Sequence, residues 1–142
     1  MAFRPRSFAF NGAANKSHVT DVVEGIAAII DEFRSRFPDV PIVLTAMFPR
    51  DQNPALADTI NAINEKLKVI SHADERIHWI NINADLVDSD GKLLPDVSSD
   101  GIHLEAAGYE TWAEALTPIL EEILGKPADV DQAPPPTGNP GL

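Results

Sequence analysis

"PIVLTAMF", residues 41–48, is an unbroken apolar and β-branched run with Pro41 at its head. A strand with one wet face alternates apolar and polar residues. A short continuous run reads instead as a strand covered on both faces, the pattern of parallel sheets flanked by helices. The neighbouring segments carry the helical period that such a sheet requires. Upstream, Val22, Ile26, Ile29, Ile30, Phe33 and Phe37 make one helix face over 20–37, with Thr20 or Asp21 as N-cap and Pro38 as the stop. Downstream, Leu56, Ile60, Ile63, Leu67 and Ile70 repeat at helical spacing and predict an amphipathic helix of about four turns.

"IHWINI" (77–82) reads as another strand, and "SFAF" (7–10), ending in the turn signal Asn11-Gly12, as a short first one. A long polar loop, 83–103, leads to a last helix with Tyr109, Trp112, Leu116, Ile119, Leu120 and Ile123 on one stripe, closed by Gly125 and Pro127. The order is strand, helix, strand, helix, strand, helix. It predicts an α/β fold: a partial flavodoxin-like three-layer sandwich of about three parallel strands with helices on both faces. Residues 1–125 form the domain, and the Pro-rich stretch 126–142 reads as a disordered tail. In such sheets the site lies outside the carboxyl ends of the strands, which here feed the loops at 11–19, 48–54 and 83–103.

The bulk numbers narrow the function. The 142 residues suffice for one domain and its core. Eleven basic against 22 acidic residues leave a net charge of −11, which disfavours nucleic acid and anionic membrane surfaces as partners. The chain has no cysteine, so disulfides and thiolate chemistry are excluded. No apolar stretch approaches the roughly 20 residues of a membrane span, and "MAFRPRSFAF" lacks the apolar core of a signal peptide. Localisation is not readable. His18, His72, His78 and His103 show no zinc spacing, and no phosphate-cradling glycine loop exists. Asp85, Asp88 and Asp90 have a calcium-loop flavour but lack the closing Glu, so they read as a solvated turn. No metal or cofactor is expected.

The chemistry concentrates in "SSDGIHLEAAGYETWAEAL" (98–116). Asp100 and His103 stand two spacers apart before a helix. A carboxylate beside an imidazole fixes its tautomer and stabilises the imidazolium, as a general base requires. The plain alternative is that Asp100 caps the helix and His103 is polar surface. In the first loop, "NGAANKSH" (11–18), Gly12 offers a tight backbone and Asn15 an amide donor, either a turn or part of an oxyanion hole.

Together, "GAANKSH", "IIDEFRSRFPDVPIVLTAMFPR" and "INADLVDSDGKLLPDVSSDGIHLEAAGYETWAEAL" resemble the SGNH (GDSL-type) hydrolases, in particular the branch of the platelet-activating-factor acetylhydrolases, over roughly residues 7 to 124. The resemblance implies a serine esterase acting on small acyl or acetyl esters, with His103 as base and Asp100 as its orienter. It also implies differences. The family's Gly-Asp-Ser nucleophile block and its block-two glycine do not occur in this chain, which starts at what would be the family's third strand. The family's oxyanion Asn falls on Ala14, with Asn15 beside it. Ser17, Ser98 and Ser99 carry no nucleophile-elbow signature, so the nucleophile is unassigned. Two functions are therefore expected in competition: a weak ester hydrolase, or a non-catalytic hydrolase domain serving as an oligomeric binding or structural module. With neighbouring strands missing, the exposed sheet edge predicts a homo-oligomer.

Overall fold

The computed structural model describes residues 16–51 and 55–129. The expected strand at 7–10, the oxyanion candidates Gly12 and Asn15, and most of the expected tail lie outside the described residues. Six elements follow in order: α1 (Lys16–Arg36), β1 (Ile42–Thr45), α2 (Leu56–His72), β2 (Ile77–Ile80), a one-turn α3 (Asn83–Leu86) and α4 (Ala106–Leu124). Among the described residues the sheet has two strands, β1 and β2, and the expected third at 7–10 lies outside them. They pair in parallel, with Ile42 opposite Ile77 and Thr45 opposite Ile80.

Side chains alternate across this sheet and each face meets a separate apolar cluster. On one face Leu44 and Trp79 pack with Ile63 and Leu67 of α2 and Val19, Val23 and Ile26 of α1. On the other, Val43 and Ile80 pack with Leu86 of α3, Trp112, Leu116 and Ile119 of α4, and the loop residues Leu93 and Val97. Each fully buried aliphatic side chain stabilises by about 1.5–3 kcal/mol relative to exposure. Helices thus cover both faces, as the apolar run at 41–48 requires.

Three local expectations are corrected. The first helix does not begin at Thr20 or Asp21 but already runs at Lys16. "KSHV" contains no helix breaker, and Val19 is buried in step with Val23, Ile26 and Ile30. Residues 16–19 are therefore helix rather than loop. The strands are shorter than the apolar runs: beyond Thr45 and Ile80 the side chains still pack, but the chain turns away from the ladder. Finally, the polar loop at 83 opens with α3, because Leu86 is wholly buried and draws one turn of helix onto the core.

The two ends of the sheet differ in character. At the amino ends of the strands, Asp74 accepts Arg34 Nε at 2.8 Å and Arg76 Nε at 3.0 Å. The same guanidinium groups donate to the carbonyls of Val40 and Pro38. This ties the end of α1, the turn into β1 and the turn into β2 together. The hydrogen bonds from Arg76, side chain first and backbone second, hold the Asp74 carboxyl well below the usual carboxylate range. At the carboxyl ends lie the loops that carry the candidate chemistry.

Candidate functional site

The loop 87–105 is irregular but anchored. Val87 and Leu93 form an antiparallel bridge around a turn at Gly91, whose φ of 77° suits glycine. The Asp88 carboxylate accepts the backbone N–H of Asp90 and Lys92, so it is occupied in shaping the turn. Val97 is buried, and its carbonyl accepts the N–H of Glu105 at 2.7 Å. Between these two anchors the chain bulges outward and carries Asp100, Gly101 and His103.

That bulge brings the expected pair into contact. His103 Nδ1 lies 2.6 Å from Asp100 Oδ2. Asp100 Oδ1 accepts the backbone N–H groups of Ile102 and His103, both at 2.8 Å. The positive φ of Gly101, 73°, lets the chain turn back on the carboxylate within so few residues. The ring hydrogen bond from His103, then the His103 and Ile102 N–H groups, hold the Asp100 carboxyl well below the usual carboxylate range. An ionised carboxylate only accepts, so Nδ1 carries the proton and Nε2 presents its lone pair. This is the tautomer of a general base.

The capping alternative does not hold. α4 begins at Ala106 and its N-cap position is Glu105, five residues beyond Asp100. Asp100 therefore organises its own turn and the imidazole, not the helix. The His103 side chain is 80% exposed, so Nε2 faces open space among the described residues.

The serines occupy other roles. Ser98 is buried and its hydroxyl points toward Asp100 Oδ1 at 3.4 Å, not toward the imidazole. Ser99 donates its backbone N–H to Glu105 Oε1 at 3.2 Å. Neither Ser98 nor Ser99 hydrogen-bonds to the His103 imidazole.

Several positioning residues escaped the sequence reading. Asp51, after β1, donates its N–H to the Gly101 carbonyl at 3.0 Å. Its carboxylate accepts Leu93 N–H at 3.1–3.2 Å, so one residue links the loop after β1 to both halves of the 87–105 loop. Asn64 is buried on α2 and grips Met47 twice: Oδ1 accepts the Met47 N–H at 2.8 Å and Nδ2 donates to its carbonyl at 3.0 Å. Asn83 Nδ2 donates to the same carbonyl at 2.9 Å. A signal for Asn64 was present, since it stands on the apolar stripe between Ile60, Ile63 and Leu67. An amide there needs a buried partner.

Beside these loops, also at the carboxyl ends of the strands, is a cavity of about 350 Å³. Arg50, Ile60, Asn61, Asn83, Val87 and Asp90 are among its lining residues. Phe48 packs edge-on against Trp112 of α4, centroids 5.3 Å apart, and so fixes the start of the loop that carries Arg50.

Residues 6–111 match the model of the GDSL-like Lipase/Acylhydrolase family. This chain belongs to that family. Among curated relatives, platelet-activating factor acetylhydrolase IB subunit alpha1 of Bos taurus is 28% identical over 131 residues, covering 91% of this chain and 56% of that protein. The platelet-activating factor acetylhydrolase IB subunit beta homolog of Drosophila melanogaster is 30% identical over 112 residues, covering 78% and 50%. The solved structure of a GDSL-like lipase from Bacteroides thetaiotaomicron superposes with a TM-score of 0.63 at 19% identity, over 75% of this chain and 54% of that one. The chain thus spans about half the length of the curated relatives it matches. The family's α/β fold and the likeness to the acetylhydrolase branch agree with the sequence motifs. No helix among the described residues is long and apolar enough to cross a membrane.

Proposed function

We propose that this chain acts as a GDSL-type ester hydrolase on small acyl or acetyl esters, with His103 as general base and Asp100 as the carboxylate that orients it. The observation carrying this reading is the 2.6 Å contact between His103 Nδ1 and Asp100 Oδ2, with Nε2 left as the acceptor. Nε2 takes the proton of the attacking hydroxyl as its oxygen bonds to the ester carbonyl carbon. Asp100 stabilises the imidazolium that results. The proton then passes to the leaving alkoxide as the carbon–oxygen bond breaks. The Asn15 amide and the Gly12 N–H are the proposed donors to the oxyanion. The attacking hydroxyl is unassigned within the described residues, and the expected activity is correspondingly weak.

Hydrolysis of p-nitrophenyl acetate by the wild type and by His103→Ala tests this. A positioned general base contributes about 10²- to 10⁴-fold, so the variant should lose most of the rate above buffer. Equal rates would remove His103 from the mechanism.

A second reading, a non-catalytic oligomeric module, is favoured by the outer face of α1. Ile29 is 59% and Phe33 50% exposed, and apolar patches of this kind mark interfaces. Sedimentation would then give a homo-oligomer, and a fluorophosphonate probe would label no serine. A micromolar monomer that the probe labels would sink this reading.

A further inference from the structure

Four arginines lie among the described residues, and three of them are ion-paired. Arg34 and Arg76 hold Asp74, and Arg36 holds Glu32. Arg50 forms no ion pair among the described residues, although the chain carries twice as many acidic as basic groups. Its place is specific. It lines the cavity at the carboxyl ends of β1 and β2, with apolar walls from Ile60 and Val87 and amides from Asn61 and Asn83. At about 350 Å³ the cavity falls at the small end of the range of small-molecule sites.

One backbone hydrogen bond ties the loop of Arg50 to the loop of the candidate base. Arg50 precedes Asp51, whose N–H binds the Gly101 carbonyl, and His103 follows two residues later. Standard backbone dimensions put the Cα atoms of Arg50 and His103 no more than about 18 Å apart along this path. That ceiling sets the span a ligand at Nε2 would need to bring an anionic substituent to the Arg50 side of the cavity. A planar guanidinium fork matches a carboxylate or a phosphate in bidentate geometry. The walls are held firmly: Asn83 donates to the Met47 carbonyl, which Asn64 grips as well.

We propose that the cavity lined by Arg50, Asn61 and Asn83 is a recognition subsite for an anionic group, carboxylate or phosphate, carried by the ligand of the Asp100–His103 site. That the ligand is a substrate rests on the esterase reading; the binding does not. The exposed Asp90 carboxylate, which also lines the cavity, opposes an anion and limits its affinity.

Amide-resolved NMR titrations with sodium benzoate, phenyl phosphate and neutral benzyl alcohol test the assignment. Saturable shifts at Arg50, Asn83 and Gly91 are expected with one or both anions and not with benzyl alcohol. A response to benzoate alone names a carboxylate subsite, and one to phenyl phosphate alone a phosphate subsite. Arg50→Ala should weaken anion binding about tenfold or more, the loss of one charge-assisted contact. Arg50→Lys should retain part of it, and Asp90→Asn should tighten it. The proposal is overturned if benzyl alcohol binds as well as the anions, if Arg50→Ala leaves anion binding unchanged, or if no probe binds. Anion binding without p-nitrophenyl acetate hydrolysis would sink the esterase reading and leave the subsite standing. Hydrolysis without anion binding would do the reverse.

Discussion

Replacing Asn64 by alanine should be among the most damaging single changes in this fold. Asn64 is 5% exposed and supplies both an acceptor and a donor to Met47, at 2.8 and 3.0 Å. Removing the amide deletes two hydrogen bonds with a net contribution of about 1 kcal/mol each. The Met47 carbonyl keeps Asn83 Nδ2 at 2.9 Å, but its N–H loses its partner. A stranded donor adds about 1–3 kcal/mol, so the cost is about 3–5 kcal/mol against a typical total of about 5–15. At this chain length the midpoint should fall by about 4 °C per kcal/mol, or about 12–20 °C. Urea denaturation should show a lower midpoint with an unchanged slope. Asn64→Leu separates the causes, since it fills the volume without the polar partners. If the clamp is the reason, leucine rescues little. A loss under about 1 kcal/mol for Asn64→Ala, or a full rescue by leucine, would refute the reasoning.

Two glycines should respond to alanine with opposite signs. A Cβ on Gly108 would lie 3.0 Å from Leu104 Cδ2 and 3.2 Å from the Val97 carbonyl oxygen, which is already committed to Glu105. Gly108→Ala should destabilise by about 1–2 kcal/mol in thermal unfolding. Gly25, mid-helix in α1, has nothing within 4 Å of its Cβ position, so Gly25→Ala should stabilise by about 0.5–1 kcal/mol. Asp74 and Asp100 have folded pKa values depressed by their hydrogen bonds to Arg76 and to His103. Their contributions are therefore present above the unfolded carboxylate value of about 4 and fade as pH falls below it toward the folded value. Melting curves of Asp74→Asn and Asp100→Asn should lie furthest below wild type above about pH 4 and converge with it in acid; a gap that widens in acid would contradict the assignment.

The legibility of this chain in its sequence follows the range of the interactions. "PIVLTAMF" announced a doubly covered strand because Val43 and Phe48 pack into one apolar cluster and Leu44 and Met47 into the other. The helix periods were readable for the same reason, but the width of the stripe misled. On α1 the residues packed with α2 are Val19, Val23 and Ile26, while Ile29, Phe33 and Phe37 of the expected face are at least half exposed. Hydrophobicity gives a stripe its direction, not its partner. Asp100 and His103 were legible because both ends of their hydrogen bond lie within four residues.

Asp51 and Arg50 were not legible, and the reason is instructive. Asp51 reads as an ordinary turn residue until the fold sets it against Leu93 and Gly101, some 42 and 50 positions away. Its significance is a property of two loops converging, which no local pattern encodes. The Asp100–His103 turn is self-contained, yet its bearing relative to the sheet depends on Asp51. A substitution there would leave the pair intact and move it relative to the cavity. The pair is written in the local sequence, whereas the relation between base and subsite belongs to the fold. A sequence resemblance centred on Asp-x-x-His can thus point to the proposed base without pointing to the residues after β1, which only the fold sets beside the 87–105 loop.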